Sequence, residues 1–181
     1  SKTEKNNAPT KMKSNSTSSL SWNDKLNDGR DLPKIEPINE RMSVKWGKGT
    51  IVIPSPREVD ELMRKVPEGK VTTINEIRTA IARKHGATIS CPITTGIFIW
   101  IVAHAAYEKA ERGEKEITPY WRTLKTGGFL NEKYPGGSEN QRRLLENEGH
   151  VIVSKEKKYV VQDYERSFSK KGECSIIWFF G

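Results

Sequence analysis

The longest apolar run in the chain, "ITTGIFIWIVAHAA" from Ile93 to Ala106, constrains the rest of it. It is shorter than the roughly 20 residues that span a bilayer, so it reads as a helix buried in a protein core, with no membrane partner. A helix apolar on all sides must be covered by other elements, and the residues before it supply them. Ser55 is a good N-cap, Pro56 suits the first helical position and Glu58 completes a Ser-x-x-Glu capping box. Val59, Leu62, Met63 and Val66 then fall on one face at i, i+3, i+4 and i+7. A second box, Thr73 with Glu76, opens another helix whose inner side carries Ile74, Ile77 and Ile81 and whose stop is Gly86. The buried helix follows, from about Thr94 to Arg112, after the connection "GATISCPI". Two short helices and a longer one suggest a helix-turn-helix arrangement, with a connection longer than the usual three or four residues.

The β signals are short. Ile51 and Ile53 mark a short strand or a packed extended segment ending at Pro54, "KTGGFLNEKYPGG" has the glycine content of a wing or small hairpin, and "VIVSKEKKYVVQ" places two β-branched runs around a charged turn. Between the last two, "SENQRRLLENEGH" predicts a helix capped by Ser138, with Leu144 and Leu145 inward and Gly149 at its end. The fold class expected is therefore mainly α with small β elements, a winged helix-turn-helix domain followed by a C-terminal β-hairpin.

The first forty or so residues are rich in Ser, Asn, Lys and Pro without apolar period, which predicts a disordered basic tail over 1–43, a domain over 44–165 and a C-terminal tail over 166–181. The apolar end "CSIIWFFG" either packs on the domain or is incidental. With 34% hydrophobic residues in 181 the chain can build one modest core, and a net charge of +8 favours a polyanionic partner. Two cysteines, Cys91 and Cys174, are too few for a disulfide framework, and no leader pattern is evident, so an intracellular, cytoplasmic protein is expected. His104 and His150 make no ligand pair at metal spacing, and neither metal nor other cofactor is expected.

Four segments in order, "VPEGKVTTINEI", "TPYWRTL", "YPGG" and "LLENEG", resemble the DNA-binding, catalytic domain of the alkylguanine-DNA alkyltransferase (methylated-DNA-protein-cysteine methyltransferase) family, over roughly Pro56 to Gly149. The resemblance implies a winged helix-turn-helix that docks in the minor groove, flips a damaged guanine and, in the family, transfers its alkyl group to the cysteine of a Pro-Cys-His-Arg motif. The matching residues here are Pro119, Tyr120, Trp121 and Arg122, so the acceptor and its base are replaced. A thiol of pKa about 8.5 is a few per cent ionised at neutral pH, whereas a phenol of pKa about 10 is ionised at about 0.1%. Indole offers a donor and no base. No catalytic residue is expected, and the chain is similar to the alkyltransferase-like branch that lacks the acceptor cysteine.

The resemblance also assigns Glu148 to the carboxylate that orients the missing histidine, and Tyr134 to a wall of the base pocket. Pro135 stands where the family has a serine that donates a backbone N–H, which proline lacks. Ile74 replaces the tyrosine that helps rotate the nucleotide, and Gly96 falls near the arginine that fills the vacated stack. Tyr120 and Trp121 either fill, or form one wall of, the former acceptor pocket, or are core packing beneath the wing. Glu148, left without a histidine, suits a partly buried carboxylate that accepts backbone or tryptophan N–H bonds, and Arg122 suits a tie between the wing and neighbouring carbonyls.

The implied partner is double-stranded DNA carrying a damaged base, together with a repair protein. Lys70, Thr72, Thr73, Thr94, Thr95, Arg122 and Lys125 are the expected phosphate contacts. "GIFIWIVAHAA" offers few polar groups to base edges, which favours shape and phosphate contacts over base readout. Two other readings stand beside the noncatalytic damage sensor: a general DNA-binding winged-helix module without lesion preference, and an enzyme using Cys91 or the remodelled pocket. A lone cysteine such as Cys91 is more often a small buried apolar residue than a nucleophile.

Overall fold

The computed structural model of the protein describes residues 20–168. Helix α1 spans Trp22–Asn27, strand β1 Lys34–Pro37, α2 Glu40–Trp46, β2 Thr50–Ile53, α3 Pro56–Arg64, β3 Thr72–Thr73, α4 Ile74–His85, β4 Ile89–Ser90, α5 Pro92–Glu111, β5 Thr123–Leu124, α6 Gly137–Asn147, β6 Ile152–Lys155 and β7 Lys158–Val161. This is the mainly helical chain with small β elements that the sequence predicts.

The N-terminal boundary needs correction. Residues 22–37, expected to belong to a disordered tail, form α1 and β1, while residues 1–19 of that tail lie outside the described residues. A true capping box holds α1: Ser21 accepts from the Asp24 N–H and Asp24 accepts from the Ser21 N–H. Leu26 is buried and Trp22 packs beside it against the core. Polar bonds fix the register, since the Trp22 N–H and the Asn23 amide donate to the Glu108 carboxylate of α5 at 3.1 and 2.8 Å, and the Asn23 amide also reaches the Ala105 carbonyl at 3.2 Å. Chiefly through the Asn23 bond, these contacts hold the Glu108 carboxyl below its ordinary range. At the other end Phe168, expected in the C-terminal tail, bridges Val71 and packs on the second core; residues 169–181 lie outside the described residues.

Most predicted caps form, with altered partners. The Ser55 hydroxyl accepts from the Glu58 N–H at 3.2 Å and the Thr73 hydroxyl from the Glu76 N–H at 3.3 Å. Glu58 does not complete its box: its buried carboxylate binds His85 and Lys84 of α4 instead, tying the two helices. Gly86 stops α4 in the left-handed conformation, as predicted. Helix α6 starts after Gly136 rather than Ser138, because Gly136 takes the positive φ of 77° that the entry turn requires.

The connection before α5 is not a plain turn. Its residues Ile89 and Ser90 run parallel to β2, which pairs antiparallel with β1, so β4 completes a three-stranded sheet in the order β1-β2-β4. This pairing explains the extra length that separates α4 from α5. Helix α5 crosses the core, burying Thr95, Ile99, Val102, Ala103, Ala105 and Ala106 against Val52, Val59, Met63, Ile77 and Ile81. It is not covered on all sides, however: Ile93 is 64% exposed and Ile97 48%, and Trp100 and Tyr107 continue the same open stripe.

A second cluster, Val71, Leu124, Leu130, Leu145 and Val161, sits under the C-terminal elements. The hairpin β6–β7 forms as predicted, with Glu156 and Lys157 of its turn both at positive φ. The expected wing does not make a hairpin of its own; Phe129 bridges Val160 and the Leu130 N–H donates to the Tyr159 carbonyl at 3.0 Å, so the glycine-rich segment leans on β7. Among the described residues no helix is long and apolar enough to cross a membrane.

Candidate functional site

Strands β3 and β5 bring the site together. They pair in parallel, Thr72 opposite Thr123 and Thr73 opposite Leu124, which sets the start of α4 against the end of "TPYWRTL". That segment turns through a short 3-10 helix, Tyr120–Arg122. It is anchored upstream by Thr118, whose hydroxyl donates to the buried Asp60 carboxylate of α3; Arg64 donates to both, at 3.2 Å each.

Tyr120, which the sequence resemblance sets at an acceptor position, is 2% exposed. Its ring packs edge-on against Trp121 at 5.4 Å and against Tyr134 at 5.5 Å between centroids, the favoured geometry for aromatic quadrupoles. Its hydroxyl accepts from the Asn140 amide at 3.2 Å, and no carboxylate or imidazole is hydrogen-bonded to it among the described residues. Burial raises the phenol above its ordinary pKa, which lowers its phenolate fraction further. Tyr134 is as deeply buried and is raised for the same reason; its hydroxyl donates to the Thr123 carbonyl at 2.9 Å. Tyr120 and Tyr134 therefore pack together as members of the main hydrophobic cluster, with Trp121 partly buried beside them.

Glu148 and Arg122 form the polar wall. The Arg122 Nε donates to Glu148 at 2.9 Å, its Nη2 pairs with the same carboxylate, and its Nη1 donates to the Val66 carbonyl at 2.8 Å. Trp121 Nε1 also donates to Glu148, at 3.2 Å. The Glu148 carboxylate is thus occupied by the Trp121 indole and by the Arg122 guanidinium, the second a partner the sequence reading did not name. Arg122 ties this segment to Val66 just beyond α3, and 14% of its side chain is exposed.

Two residues missed in the sequence complete the site. Asn140 bridges the Tyr120 hydroxyl and the Pro135 carbonyl, the latter at 3.0 Å. Gln141, fully buried, donates to the Trp121 carbonyl at 3.1 Å and accepts from the Asn131 N–H at 2.7 Å. The available signal was spacing: they precede the inward Leu144 and Leu145 by one helical turn, which places two amides on a buried face.

The expected phosphate contacts divide. Thr72, Thr73 and Thr95 are 2%, 5% and 0% exposed, and the Thr95 hydroxyl is bonded to Ser90 at 2.8 Å, so their side chains pack the strand pair and helix starts. Lys125 is half-buried and pairs with Glu132 at 3.3 Å. Lys70 and Thr94 are half-buried, and the Thr94 hydroxyl donates to Cys91 Sγ at 3.3 Å. Cys91 itself is the half-buried N-cap of α5, with no imidazole or carboxylate hydrogen-bonded to it among the described residues.

No family model matches the chain, and no curated protein does. Two solved structures are similar to it: S. pombe Atl1 in complex with damaged DNA containing O6-carboxymethylguanine, at 21% identity and a TM-score of 0.46, and S. pombe ATL in complex with DNA, at 22% and 0.47. Each alignment covers 64% of this chain and 94% of the other.

Proposed function

We propose that the protein is a noncatalytic, alkyltransferase-like DNA-binding protein that senses an alkylated base in duplex DNA and marks it for a repair partner. The observation that carries this reading is the sealed acceptor position. Four segments spread from Val66 to Gly149 converge on one site, as in a DNA alkyltransferase, yet its centre holds Tyr120, which has neither a thiolate nor a base beside it. Helix α5 presents Ile93, Ile97 and Trp100 on its open face and no charged side chain before Glu108, so it meets a groove by shape and leaves charge to its surroundings.

Incubation with a radiolabelled O-alkylguanine duplex leaves the protein unlabelled, and the alkylated duplex binds more tightly than its unmodified counterpart, by about tenfold or about 1.4 kcal/mol. Equal affinities assign the chain to the general winged-helix module instead. Stoichiometric label on Tyr120 or Cys91 overturns the noncatalytic reading.

A further inference from the structure

Helix α4 and the segment leading into α5 enclose a cleft of about 470 Å³ that none of the preceding assignments uses. Asn75, Arg78, Thr79 and Arg83 line it from one side of α4, at i, i+3, i+4 and i+8, and Thr88 and Ser90 line it from β4 and its approach. No carboxylate belongs to its lining. Arg64, Arg112 and Arg142 each bind a carboxylate one helical turn away, whereas Arg57 and Arg143 bind side-chain amides and Arg41 binds no carboxylate among the described residues. Arg78 and Arg83 have no such partner among the described residues.

The Arg78 guanidinium is oriented: its Nη1 donates to the Asn75 side-chain oxygen at 3.3 Å, while its Nε is buried and lacks any hydrogen-bond partner. A buried N–H of a charged group left unpaired costs more than a neutral one, so the arrangement asks for an acceptor. Two guanidiniums, whose forked donors match tetrahedral oxyanions, beside uncharged Asn and Thr side chains fit phosphate chemistry. The volume exceeds a lone phosphate and suits a nucleotide unit.

We infer that this cleft seats a phosphate of a nucleic-acid strand, held by Arg78 and Arg83. Its position supports the strand over a free anion. Ser90 on the cleft wall is followed at once by Cys91, the cap of α5, and then by the exposed Ile93 and Ile97, so a backbone seated there runs onto the open face of that helix. The inference rests on the DNA-binding reading for its ligand, and it moves the phosphate contacts away from the buried threonines.

The test uses the full chain and the double variant Arg78→Gln/Arg83→Gln, with Arg83→Gln alone as a milder change on an exposed residue. Duplex binding is titrated at several salt concentrations, and retained thermal midpoints establish folding. Each phosphate contact contributes about 0.9 to the salt slope, so the double variant's slope falls by about two units and the single variant's by about one. Duplex binding with an unchanged slope in both variants overturns the cleft and leaves the proposed function standing. If the wild type binds no duplex even at low salt, the function fails instead. The cleft is then decided by NMR titration with inorganic phosphate and with a free mononucleotide: shifts at Asn75, Arg78 and Thr88 keep it as a site for free phosphates, and their absence removes it.

Discussion

Removing the Glu148 carboxylate tests the polar wall of the site most directly. The pair it forms with Arg122 is buried, with side chains 8% and 14% exposed. Breaking a buried pair from one side leaves the other charge stranded and costs about 3–5 kcal/mol. In Glu148→Gln the amide oxygen still accepts one N–H and Arg122 keeps the Val66 carbonyl, so the low end applies, about 3 kcal/mol. At about 2–4 °C per kcal/mol for a chain of this size, the thermal midpoint falls by about 6–12 °C. The assay is urea unfolding of wild type, Glu148→Gln, Arg122→Met and the double variant, extrapolated to water. The double variant removes both charges together, so its cost stays below the sum of the single costs by about 2 kcal/mol or more. Single costs under about 1 kcal/mol that simply add would refute a buried, mutually dependent pair.

Leu26→Ala, in the segment first read as tail, costs about 2–3 kcal/mol because the side chain is 6% exposed against the core; an unchanged urea midpoint would show that α1 is not docked. Thr118→Val removes the hydroxyl that binds Asp60 and destabilises by about 1–3 kcal/mol, read by the same unfolding curve, with a neutral result refuting the anchor. His150 is held below its ordinary pKa by burial, so the unfolded chain binds the proton more readily. Stability is then fully present above about pH 6.5 and falls as pH drops through that value. His150→Gln flattens this part of the pH profile, and an identical profile in the variant refutes the assignment.

Local rules were legible where one short segment carries the whole signal. Ser55, Thr73 and Gly86 stand at helix ends for reasons contained within four residues of each, and Glu156–Lys157 marks a hairpin through the β-branched runs around it. The N-terminal segment was missed because its helix is a single short amphipathic turn and a half, too brief for periodicity. Its order comes from Trp22, Asn23 and Leu26 docking on a helix about eighty residues away, the separation of Trp22 from Glu108 being 86. Strand β4 was missed for the same reason: two residues show no pattern, and only β2 makes them a strand.

At the site, residue types were legible and partners were not. Arginine at 122 and threonines at helix starts fit phosphate binding as well as they fit packing, and their packing partners lie too far away in sequence to be read from it. Thr73 serves its own helix as a cap, and Arg122 is drawn inward by Glu148, which lies 26 residues away and has no sequence mark linking the two. Arg78 and Arg83 were unremarkable for the converse reason, since nothing near an arginine in the sequence tells whether it pairs with an acid, as Arg64 and Arg142 do, or does not, as for Arg57 and Arg143. What distinguishes them is the cleft they line with Asn75 and Thr79 and the unpaired, buried Nε of Arg78; Glu76 lies two helical turns from Arg83 and forms no ion pair with it. A positive face left uncompensated beside a helix with an open apolar stripe is the arrangement a polyanion of regular shape would complete. The chain's net charge of +8 therefore acts here through two placed guanidiniums more than through its total.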